Sequence, residues 1–149
     1  MKFSRLLWPS SMASALLLAG TPAFAQAGSE CPRLPPSTGV TWDTLAGPDY
    51  LFCKAIDAAG KQAFAVMLRQ TTEFKPRRSL REPGKVEIDG HRVHWYRGEV
   101  PGVLVRETLI EFEDDSSAHI SIRADSEEAL AQVQQIVYHL HFPAHVHED

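Results

Sequence analysis

Residues 124–142 read ADSEEALAQVQQIVYHLHF and carry a helix start, a helix period and a helix stop in one run. Asp125 or Ser126 can accept from the free amides of a first turn, and Asp125-x-x-Glu128 has the spacing of a capping box. Glu127 and Glu128 sit where the positive end of the helix dipole favours acids. Leu130, Val133, Ile136, Val137 and Leu140 then recur at steps of three and four, an apolar stripe with Gln132, Gln135 and His139 off it. Pro143 restricts Phe142 to an extended backbone, so the helix is expected to end by about residue 141. One amphipathic helix at the end of a chain needs a face to cover, and the preceding residues read as the strands that supply it.

The chain begins with Lys2 and Arg5, continues with a short apolar stretch over residues 6–19 and reaches Ala23-Phe24-Ala25. This is the order of a secretory signal peptide, with cleavage expected near Ala25. The apolar stretch is broken by Pro9 and several serines and falls short of the roughly 20 residues of a membrane span. No second run is long enough to span a bilayer. Residues 26–149 are therefore expected to form one domain of a periplasmic or secreted protein, ending in a His-rich tail over 143–149. Removing residues 1–25 takes away Lys2 and Arg5 but no acid, leaving 13 basic and 19 acidic residues, a net −6. That balance argues against nucleic acid as a partner, because such binding rests on neutralising phosphates.

Cys31 and Cys53 are the only cysteines. In an exported chain they predict a disulfide that pins the Pro-rich lead (Pro32, Pro35, Pro36, Pro48) to the strand around Cys53. The strand signals then run in order: 50–56, a turn at Asp57-Ala58-Ala59-Gly60, and 63–68. Val86-Glu87-Ile88 and residues 91–96 flank Asp89-Gly90, the two-residue turn of type I′ hairpins. Ile88 is expected opposite His91 and Val86 opposite Val93, with Trp95 on the same side. A last pair, 103–113 and 118–124, is expected to set Ile110 opposite Ile120, Thr108 opposite Ile122 and Phe112 opposite Ala118. That register would also pair Glu107 with Arg123 and Glu111 with His119 on the outer face. Together these predict an α+β domain, an antiparallel sheet of about six strands with the C-terminal helix packed on one face.

This order of strands, closed by ADSEEALAQVQQIVYHLHF with its apolar-x-Phe ending, resembles the Mog1/PsbP-like group of small α/β sandwiches over the last two thirds of the mature chain. The resemblance implies a binding or accessory module rather than an enzyme. It also implies a further helix between strands, for which residues 71–85 are the available room. The chain is similar in kind to small exported bacterial inhibitor and immunity proteins as well.

Sequence motifs for catalysis are missing. No G-x-S-x-G occurs, and the acids Glu111, Glu113, Asp114 and Asp115 lack the oxygen-ligand spacing of a Ca²⁺ loop. Two other clusters stand out. Residues 71–85 form a long loop with Lys75, Arg77, Arg78, Arg81 and Lys85 beside Phe74, a local positive patch that attracts anionic groups. His139, His141, His145 and His147 crowd the end and form a candidate Zn²⁺ or Cu²⁺ set. The expectation is a non-catalytic periplasmic binding protein without a cofactor, an inhibitor or immunity-type factor that engages another exported protein through the basic loop and an adjoining sheet edge. The alternatives are metal carriage by the terminal histidines and a periplasmic hydrolase assembled from distant residues.

Overall fold

The structure, a computed structural model, describes residues 30–143. The expected signal peptide over 1–25 and the tail residues His145 and His147 lie outside the described residues. Six strands form one antiparallel sheet: β1 (Thr41–Ala46), β2 (Tyr50–Ile56), β3 (Gln62–Arg69), β6 (Tyr96–Arg97), β7 (Leu104–Glu111) and β8 (Ser117–Ala124), ordered β1-β2-β3-β8-β7-β6. β4 (Val86–Ile88) and β5 (His91–Val93) form a separate two-stranded ribbon, and α1 spans Glu127–Tyr138. The expected α+β architecture holds, but its six strands are not the six read from sequence. The hairpin at 86–93 stands outside the sheet, and β1 and the two-residue β6 take the places it leaves.

β1 lies in the stretch read as an irregular Pro-rich lead. It is an edge strand exposed on nearly every residue, so its sequence TWDTLA carries no in-out alternation to reveal it. Trp42 anchors it: the indole N–H donates to the Pro32 carbonyl (2.8 Å), and the ring meets Phe64 edge-on at 5.5 Å. β1 turns into β2 through Gly47, whose N–H donates to the Tyr50 carbonyl (2.9 Å) under the Tyr50 ring. A Cβ at Gly47 would sit 2.2 Å from that ring, so any larger residue here would have to displace the Tyr50 side chain. The expected disulfide is formed, Cys31 to Cys53, and ties the lead to the second strand.

The sheet buries Cys53, Ala55, Phe64, Val66, Ile110, Ile120 and Ile122 on one face, and α1 lies on that face with Leu130 and Val137 inward. The β4–β5 ribbon shares the covering work. Its register is the one expected, Val86 opposite Val93 and Ile88 opposite His91, with positive φ at both Asp89 and Gly90 as a type I′ turn demands. Ile88, Val93 and Trp95 are buried in the same core as the helix. Trp95 Nε1 donates to the Tyr138 hydroxyl (3.1 Å), and the buried Thr108 hydroxyl donates to the His94 carbonyl (2.8 Å).

Two local readings are corrected. Ser126 is the N-cap, its hydroxyl accepting from Ala129 N (3.1 Å), while Asp125 turns away to Lys61 (2.6 Å) and forms no capping box. In the β7–β8 hairpin Ile110 faces Ala118 and Thr108 faces Ile120, a slip of two residues from the expected register. The cause is the turn. Asp115 N donates to the Phe112 carbonyl and Asp115 takes φ 64°, closing a three-residue loop between Phe112 and Ser116. A slip of two preserves every side chain's face, so the expected inward residues stay inward while their partners change. Glu107 now faces Ser121 and Glu111 faces Ser117.

The chain beyond α1 is fastened rather than trailing. Asp89 accepts from His141 Nδ1 (2.8 Å) and from Phe142 N (2.7 Å), and His141 pairs with Arg33 in an antiparallel bridge.

Candidate functional site

On the face of the sheet away from α1, residues around Phe74 fold over the strands. Along this face Leu45, Phe52, Met67, His119 and Leu109 stand opposite one another in one row across β1, β2, β3, β8 and β7. Phe74 comes down onto the row. Its ring stacks flat on the His119 imidazole, 4.2 Å between centroids and 7° between planes, and meets Tyr96 edge-on at 6.3 Å. His119 Nε2 donates to Glu107 Oε1 at 3.1 Å. His119 was expected simply to face water; instead it is the platform on which the basic loop is seated.

Phe74 separates two depressions. One, about 390 Å³, is lined by Phe52, Met67, Ser117, His119 and Ser121; the other, about 290 Å³, by Lys75, Arg77, Leu80, Tyr96 and Arg97. Phe74 is thus occupied in holding the loop and is half-buried, not a free anchor for a partner. Lys75, Arg77, Arg78, Arg81 and Lys85 are all exposed. Arg77 pairs with Glu99 (3.4 Å), and Lys75, Arg78, Arg81 and Lys85 have no ion-pair partner among the described residues. The further helix that the family resemblance implied for residues 71–85 is a single 3₁₀ turn, Arg78–Leu80.

Arg97, which the sequence reading passed over, joins the cluster. It stands directly opposite Arg106 across β6 and β7, a like-charge pair that is unfavourable unless compensated. Glu82 compensates the inner member: its Oε1 lies 2.8 Å from Arg106 Nε in a contact that is close but off the line of a hydrogen bond, while Nη1 donates to the Val105 carbonyl. Arg97 stays exposed and has no ion-pair partner among the described residues. No sequence period marks it, because only the docking of residues 81–82 beside β6 brings it to the loop.

No protein-family model, curated protein or solved structure matches the chain. Its chemistry is therefore read from its own residues. The Glu107–His119 pair has the partners of a general base and its orienting acid, but among the described residues no hydroxyl or thiol hydrogen-bonds the imidazole, and Ser117 donates instead to the Arg69 carbonyl. Of the terminal histidines, the two described ones make separate contacts. His139 Nδ1 donates to its own helix at the Gln135 carbonyl (2.8 Å), His141 donates to Asp89, and no group of three or more His, Cys, Asp or Glu among the described residues could hold a metal. No helix among them is long and apolar enough to cross a membrane.

Proposed function

We propose that this chain is an exported, non-catalytic binding domain that engages an acidic surface of another exported protein through the basic loop, as an inhibitor or immunity-type factor does. The observation that carries the reading is segregation of charge. Lys75, Arg77, Arg78, Arg81 and Lys85 gather with Arg97 at one end of the sheet, on a mature chain of net −6, and most of them have no acidic partner among the described residues. Exposed cations left unpaired on a loop that is itself held in place by Phe74 on His119 present a positive surface at low ordering cost. The disulfide supports residence in an oxidising compartment, and the order of residues 1–25 supports export.

Capture from a periplasmic extract tests the reading. The chain is expected to recover a stoichiometric partner whose retention falls with rising salt and is lost on R77E/R78E/R81E. Equal capture by that variant removes the loop from the account.

A further inference from the structure

The two sides of the sheet end differently, and the β1 side is open. No strand among the described residues pairs with the outer edge of β1, whose inner edge is matched to β2 without a break from Thr41 opposite Ile56 to Ala46 opposite Leu51. Six residues present about 20 Å of unpaired backbone. Exposed edges are ordinarily blunted by lysine, proline, a bulge or a covering segment. Among the described residues β1 has none of these. Its single charge, Asp43, is engaged sideways by Lys54 of β2 at 2.5 Å.

The edge is also held rigid. Thr44 faces Cys53, which the disulfide ties to Cys31, and Trp42 is locked by Pro32 and Phe64. On its free side Leu45 is 56% exposed and heads the apolar row that continues through Phe52 and Met67.

We infer that β1 is a docking edge for an extended segment of a partner protein, added as a further strand of the sheet, with a basic residue opposite Asp43 and an apolar residue opposite Leu45. Only an extended backbone satisfies a row of outward amides and carbonyls, which sets the chemistry of the occupant. Asp43 and Leu45 lie two apart and share a face, so the segment has the pattern basic-x-apolar in one direction or the other. A second copy of this chain fits less well. Antiparallel pairing of β1 with itself over its whole length places Thr41 opposite Ala46 and so sets Thr44, not a basic residue, opposite each Asp43. The register with Thr41 opposite Leu45 sets the two Asp43 carboxylates directly opposite each other, a like-charge contact on an already negative chain. The inference is independent of the basic loop, which lies at the other end of the sheet.

The probe is a synthetic seven-residue peptide of alternating threonine and valine with one lysine in the valine row. Saturable binding by calorimetry is expected, with slowed amide exchange over Thr41–Ala46 and loss of binding when alternate residues in the pairing phase, but not in the other phase, are N-methylated. Asp43→Lys is expected to weaken the lysine peptide about tenfold and to favour its glutamate counterpart, a charge exchange worth on the order of 1 kcal/mol. R77E/R78E/R81E leaves this binding unchanged. The inference is overturned by absence of binding, by equal binding after N-methylation in either phase, by indifference to Asp43→Lys, or by sedimentation as a dimer that Asp43→Lys dissociates.

Discussion

The two ends of the sheet solve one problem in opposite ways. At β6 the edge is short, Arg81 bridges to Tyr96, Glu82 N donates to the Trp95 carbonyl (2.8 Å), and arginines line the rim. At β1 the edge is long, uncharged but for Asp43, and unpaired by any strand among the described residues. The closed end gathers cations, most of them without an ion-pair partner among the described residues, around a seated loop, and the open end presents backbone on a braced strand. The protein therefore offers two surfaces of different chemistry, one electrostatic and one hydrogen-bonding, separated by the width of the sheet. The basic loop does not adjoin a free edge, as the sequence led us to expect, because residues 81–82 of that loop themselves close it.

The disulfide braces only the open end of the sheet. C31A/C53A opens a loop with a sequence separation of 22 residues and is expected to lower unfolding free energy by about 3 kcal/mol in urea titration. Native-state exchange should quicken in β1 more than in β6; equal quickening at both ends would mean that the bridge does not brace the open edge. The closed end is tested by Glu82→Ala, which leaves the largely buried Arg106 guanidinium facing Arg97 without its counter-charge. A loss of about 2 kcal/mol is expected, with part of it recovered in E82A/R106M.

Ser126→Ala should cost about 1 kcal/mol through the lost cap on α1 and leave the exchange contrast between the two edges unaltered, since the helix covers the core they share. The smallest effect belongs to Lys61, whose amine is raised above its ordinary value by its hydrogen bond to Asp125 and then by the charge of that carboxylate. A raised lysine contributes stability that is present below its unfolded value and lost as pH rises through the folded one. Asp125→Asn should return the amine to the ordinary lysine range by NMR titration and remove that alkaline dependence, with little change in stability near neutrality because the pair is exposed.

Much of the fold was legible because local chemistry and periodicity agree with the tertiary outcome. Leu130 to Leu140 carries a helix stripe, Asp89-Gly90 dictates a hairpin and its register, and two cysteines in an exported sequence pair. The elements that escaped are those whose residues make no pattern. β1 is exposed on both faces and so has no alternation, β6 is two residues long, and the β7–β8 register turned on Asp115 adopting a positive φ. The candidate site was legible in part. The loop cations are adjacent in sequence and were visible as a cluster, whereas Arg97, His119 and Glu107 come from three strands.

The sequence by itself determined the α+β class, the core-facing residues of the 86–95 hairpin and of β7 and β8, the start of the helix in its acidic first turn and the disulfide. Each of these depends on residues within one element or on one chemical pairing. Only the tertiary structure decided that the 86–93 hairpin leaves the sheet to lie beside the helix, that Phe74 seats the basic loop on His119, and that one edge of the sheet is closed while the other is open. Those outcomes depend on which long-range surfaces bury one another, and backbone hydrogen bonds left over at a sheet edge have no signature in side-chain order.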